Sequence, residues 1–166
     1  MINVEKTLND AYLLCGDGKF SKALVLYDKV LKTEPNNLDA LIDKGVALQN
    51  LGKLKAALSC FEKVVSASPE NVTALINKGS VLHSLGRFQD AIDCYDEAIV
   101  LDKKCAMAFA YKGLSLGEQG MVKDALRHFK KALTIDKNYD VAQISREIAE
   151  RILDEEEKHS KTVRDI

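Results

Sequence analysis

The sequence predicts an all-α chain built as a stack of helix-turn-helix units, and three observations carry that prediction. A glycine recurs at Gly18, Gly52, Gly86 and Gly120, each time thirty-four residues on. An alanine follows five residues later, at Ala23, Ala57, Ala91 and Ala125, and an aromatic four further on, at Tyr27, Phe61, Tyr95 and Phe129. On both sides of each glycine, apolar residues return at three-and-four spacing, the period of one helical face. A fixed period in this range decides the architecture before any single element does.

Four units follow in order, residues 4–37, 38–71, 72–105 and 106–139, with no insertion between them. In the second unit the first helix carries Leu41, Lys44, Gly45, Leu48 and Leu51 on one side, with Asn37 placed as its N-cap. Gly52 supplies the left-handed residue that ends it. The second helix follows with Leu54, Ala57, Leu58, Phe61, Val64 and Val65 on one face. Small residues recur in the first helices at Ala11, Gly45, Gly79 and Gly113. They let two backbones approach while the aromatic of the second helix fills the gap, so a bulky replacement for Ala57 or Ala91 overpacks the contact by about 1–3 kcal/mol. One hairpin leaves its apolar face uncovered, and neighbours must stack on it. After Tyr139 the pattern changes to a single helix over residues 140–164, whose stripe Val141, Ile144, Ile148 and Ile152 is expected to cover the last unit. The charged run Asp154-Glu155-Glu156-Glu157-Lys158 reads as its solvated end.

These marks, small residue, glycine, alanine, aromatic and a proline at Pro35 and Pro69, resemble the tetratricopeptide repeat, and the resemblance covers residues 4–139. It implies a right-handed superhelical solenoid of four repeats closed by a C-terminal capping helix, the whole of residues 1–166 forming one domain. The chain departs from the family at three places. The early large aromatic is Thr7, Leu41, Leu75 and Phe109; the leucine before the small residue is Asp10, Lys44, Lys78 and Lys112; the later prolines are Lys103 and Lys137.

Helix angles separate two faces of each first helix. Leu41, Gly45, Leu48 and Leu51 match Leu75, Gly79, Leu82 and Leu85. Asp39, Ile42, Asp43, Val46, Gln49 and Asn50 fall within about 60° of the opposite direction. Five of those six differ from their counterparts Thr73, Ile76, Asn77, Ser80, His83 and Ser84. The packing face repeats and the other face varies. In tetratricopeptide repeats the varied side lines a concave surface that holds an extended peptide or a partner's helix. The resemblance thus implies a partner-binding groove of Asn9, Tyr12, Asp39, Ile42, Asp43, Val46, Gln49, Ile76, Asn77, Ser80, His83, Tyr111 and Leu114. Asn9 and Asn77 suit a peptide backbone, because an amide both donates and accepts. The family's lysine clamp for a terminal carboxylate is absent here, since Leu8, Ile42 and Ile76 stand at one of its places and Asp39 and Thr73 at another. Lys44, Lys78 and Lys112 are expected to lay alkyl stems over the core with the ammonium in water, and the alternative is a cation row facing an anionic ligand.

Composition narrows the partner. The 24 basic and 25 acidic residues nearly cancel, which argues against nucleic acid and anionic membranes as partners. No apolar run reaches membrane-spanning length, and MINVEKTLND lacks the parts of a secretory signal, so a cytoplasmic protein is expected. Cys15, Cys60, Cys94 and Cys105 form no CxxC pair and read as reduced thiols, with no metal and no cofactor implied. His83 falls on the groove, while His128 and His159 read as packing or surface residues; no catalytic motif is present. The sequence therefore predicts a non-catalytic scaffold that binds another protein or peptide. The alternatives are a self-assembling module, joined through the stack ends or the terminal helix, and a regulatory segment of an enzyme complex.

Overall fold

The computed structural model describes residues 2–164, with side chains through residue 161; residues 1, 165 and 166 of the predicted domain lie outside the described residues. Helices come in pairs: α1 (Val4–Gly16) with α2 (Phe20–Thr33), α3 (Leu38–Asn50) with α4 (Leu54–Ala67), α5 (Val72–Ser84) with α6 (Phe88–Leu101), and α7 (Ala106–Glu118) with α8 (Val122–Ile135). A longer helix, α9 (Asp140–Arg164), ends the series. No strand occurs among the described residues.

Local chemistry sets these boundaries. The side chains of Asn3, Asn37 and Asn71 accept from the backbone N–H groups of Lys6, Ala40 and Ala74 at 3.0, 2.9 and 2.9 Å, satisfying donors that a helix start leaves orphaned. Between the helices of each pair stands a glycine with φ of 69 to 76°, where a side chain would be strained. At Gly52 the turn is closed by Gly52 N–H donating to the carbonyl of Gln49 and Lys53 N–H to that of Leu48, both at 2.9 Å. This pair of bonds satisfies the last carbonyls of α3 and reverses the chain.

The molecule divides into two compact units, residues 1–85 and 86–166. In the first, each helix packs on the next in the chain, α1 also meets α3, and α3 meets α5. Ala11, Ala23, Tyr27 and Ala47 form one core cluster; Leu41, Val64 and Ala74 form another. A Cβ added at Gly45 would lie 2.6 Å from the Phe61 ring, so the small residue and the aromatic meet as the sequence demanded. In the second unit a Cβ added at Gly113 would likewise lie 2.5 Å from the Phe129 ring, and the core joins Ile92, Leu116, Ala125 and Phe129 to Ala149 of α9.

Two readings need correction. The first helices bury a wider arc than the leucine side alone: Ala40, Ala47, Ala74 and Val81 are fully buried. A helix inside a stack has neighbours on two sides, and Ala47 packs against the preceding hairpin at Ala11, Ala23 and Tyr27. The stripe predicted to seat α9 mostly faces outward. Ala142 and Ala149 make its contact with α7 and α8, whereas Ile144, Ile148 and Ile152 are exposed. The isoleucines lie about 100° around the helix from those alanines, and the alanines alone permit close approach.

Candidate functional site

In the first unit the varied faces of α1, α3 and α5 lie side by side and carry eleven of the predicted groove residues. Tyr12 is 67% exposed, the most open of the large apolar side chains on this wall. Asn9 and Asp39 are also exposed, and Ile42, Asp43, Val46 and Asn77 are half-buried beside them. Ile76 differs from the prediction. With 6% of its surface exposed it belongs to the floor of the wall and presents little to a ligand.

Polar residues on the wall divide between those engaged with each other and those that are not. Gln49 Nε2 donates to Ser80 Oγ at 2.9 Å, tying α3 to α5 across the face. Asp39 and Asp43 have no ion pair among the described residues. Burial pushes the Asp43 carboxyl above its ordinary range, and the neighbouring Asp39 charge pushes it the same way. Asn77, half-buried, has no side-chain hydrogen bond among the described residues. The wall therefore joins apolar surface to two uncompensated carboxylates and an open amide.

Tyr111 and Leu114 belong to the second unit. The Tyr111 ring meets Tyr95 edge-on, with centroids 6.0 Å apart, and packs with Tyr139 on the cluster of Ala110, Ala132 and Ala142, so it serves packing there. Leu114 lines an open cleft between α7 and α9.

Two rungs of the lysine ladder, Lys44 and Lys112, are ion-paired, though not with Asp43, and Lys78 has no ion pair among the described residues. Lys44 Nζ lies 2.6 Å from Asp28 Oδ1, and Lys112 Nζ 2.5 Å from Asp96 Oδ1, each reaching back to the second helix of the preceding hairpin. Asp28, Glu62 and Asp96 share the thirty-four-residue period, a signal the sequence held. Lys44 and Lys112 are half-buried, so the stems cover packed surface while the charges meet carboxylates in place of water. His128 is also a packing residue: Nδ1 lies 2.8 Å from the backbone oxygen of Asp124, and its ring lies against Phe109. None of the four cysteines is in a disulfide; Cys60 and Cys94 are buried, and burial raises the Cys60 thiol above its usual range.

Sequence reasoning took the isoleucines of α9 for its seating face and did not place them in the register of the varied faces. Ile144 and Ile148 stand three periods after Ile42 and Val46, so α9 begins as a fifth first helix in the same register.

Comparison with known proteins fits this construction. No curated protein matches the sequence. Among solved structures, MamA protein is 26% identical, with a TM-score of 0.77, over 95% of this chain and 88% of that one. YrrB, described as a TPR protein with an unusual peptide-binding site, is 25% identical with a TM-score of 0.69, over 89% of this chain and 76% of that one. TTC0263, a thermophilic TPR protein of Thermus thermophilus, shares the fold at 18% identity and a TM-score of 0.80, over 90% and 82% of the two chains. The tetratricopeptide repeat profile matches residues 42–106 and 84–140, and a second profile of the same description matches residues 14–62. Because those profile matches span most of the chain, this all-α solenoid of four repeats and a C-terminal helix belongs to the tetratricopeptide repeat family.

Proposed function

We propose that the chain is a non-catalytic protein-interaction scaffold, and that the wall of α1, α3 and α5 binds an extended segment of another protein. The observation that carries this reading is the side-by-side placement of exposed Tyr12, half-buried Ile42 and Val46, and the unpaired carboxylates of Asp39 and Asp43. Apolar area turned from the core, bordered by polar groups without partners, is the surface character that marks interaction sites. Tyr12 is the anchor, since an aromatic buries a large area with few torsions to freeze. Asn77 supplies hydrogen bonds to the backbone of the bound segment, and the packed hairpins hold these groups in place before binding. YrrB, by its description a TPR protein with a peptide-binding site, lends the reading support from similarity.

The bound segment is apolar with at least one cation to meet Asp39 and Asp43. Affinity capture from native lysate, with identification of the eluted proteins, tests the site when run beside Tyr12→Asp with Ile42→Asp. Proteins bound through the wall disappear from the variant's eluate while its helical circular dichroism stays unchanged. Peptides from the captured protein, titrated by calorimetry, should bind the native chain at least tenfold more tightly than the variant, about 1.4 kcal/mol or more. Equal affinities remove the wall from consideration.

A further inference from the structure

At the far end of the chain, α9 presents an apolar stripe that the core does not use. Ile144, Ile148 and Ile152 are 60, 44 and 37% exposed, one helical turn apart. Beside them opens a cleft of about 240 Å³ between α7, α8 and α9, lined by Leu114, Val122, Phe129, Ile148 and Ile152 among others. That volume falls below the roughly 300–1,000 Å³ of small-molecule pockets and suits one or two apolar side chains. Gly113 and Gly117 form part of its wall, so the α7 backbone is within reach of an inserted group.

The rim is acidic. Glu118 lines the cleft; Glu156 lines an adjoining hollow that shares Val122 with it; Glu155 follows the isoleucines on the same face of α9. None of the three has an ion pair among the described residues. Asp124, in the same hollow, is paired with Arg127, which leaves Lys123 as the one cation lining it among the described residues. Arg151 stands on the edge of the stripe away from the cleft.

We infer that this face docks a basic amphipathic helix of another protein, inserting an apolar side chain into the cleft and setting lysines or arginines against Glu118, Glu155 and Glu156. The charge chooses among occupants. An anionic membrane surface meets three uncompensated carboxylates and is repelled. A second copy of α9 laid parallel along the stripe opposes two runs of Asp154, Glu155, Glu156 and Glu157, and one laid antiparallel about Ile148 sets residues 140–145, which hold no cation, beside Glu155 and Glu156. A cationic amphipathic helix meets both the apolar and the acidic part, and helix-in-groove docking reads ligand side chains at this three-and-four spacing. The site lies wholly in the second unit and does not depend on the wall of α1, α3 and α5.

Fluorescence anisotropy on the full chain tests the inference with three labelled synthetic helices. One carries leucines on a single face flanked by lysines, one has the lysines replaced by glutamates, and one has the leucines replaced by serines. The first should bind saturably, and each of the others at least tenfold more weakly. Ile144→Gln with Ile148→Gln, at exposed positions that glutamine fills without loss of helix, should weaken the first probe at least tenfold, and Glu118→Lys with Glu156→Lys should do likewise. Unchanged binding by either variant overturns the proposal. So does a probe lost with Tyr12→Asp and Ile42→Asp but kept by the isoleucine variant, which would assign the binding to the wall of the first unit. A concentration-dependent doubling of mass in light scattering, abolished by Ile148→Gln, would place a second copy on this face, and sedimentation with anionic vesicles would place a membrane there; either result excludes the inferred helix.

Discussion

At the scale of single residues, Asp43 shows how a residue of the proposed binding face can oppose stability. Its carboxyl is held above the ordinary range first by burial and then by Asp39. A raised folded-state value in an acid means that the native chain holds the proton more firmly than the unfolded chain does. The charged form therefore costs stability once pH rises through the ordinary carboxylate range, and the cost is relieved below it. Asp43→Asn is expected to raise the urea midpoint at neutral pH, with the gain shrinking to nothing as both proteins are taken below about pH 4. An equal gain at both pH values would show that the charge is not its source. A partner's cation at Asp43 would lower the same cost, which couples binding to stability.

Within a single element, two glycines one turn apart in α7 are expected to answer the same substitution with opposite signs. Gly117 has open space where a Cβ would go, so Gly117→Ala gains roughly 0.5–1 kcal/mol from reduced backbone entropy in the unfolded chain. A Cβ at Gly113 would lie 2.5 Å from the ring of Phe129, which is 3% exposed, so the packed ring or the α7 backbone must shift. Gly113→Ala should lose about 1–3 kcal/mol to overpacking, more than that entropic gain. Chemical denaturation of the two variants checks the pair. The small-residue register was legible in the sequence because it repeats four times, and repetition exposes what one helix conceals. Ala40 and Ala47 were harder to place. Alanine is compatible with either face, and only the neighbouring hairpin, packed on Ala47 through Tyr27, makes it core. Ile76 was misplaced for a related reason: angle gives direction from the helix axis but says nothing of how far a neighbour reaches around it. Ile144 and Ile148 were read as core because a stripe of isoleucines usually is; the small side chains of Ala142 and Ala149 decided the contact instead.

For the whole chain, a stack in which elements touch near neighbours has stability that is close to a sum of local terms, and an end is its weakest place. The C-terminal end is closed by α9, which covers Leu116, Ala125 and Phe129 with Ala149 and packs Ala142 against Ala110 and Ala132. The same helix leaves its isoleucines outside, so closure and presentation of an apolar stripe are carried by different faces of one element. That separation makes a clean prediction. Ala149→Asp, which sets a carboxylate against the Phe129 cluster, should lower the melting temperature, with a cost of about 2 kcal/mol or more for an unpaired buried charge. Ile148→Gln, at an exposed site one residue away, should leave the melting temperature within about 0.5 kcal/mol of native. If the two variants melt together, α9 is not seated through its alanines, and the outward stripe would have to be reassigned to the core.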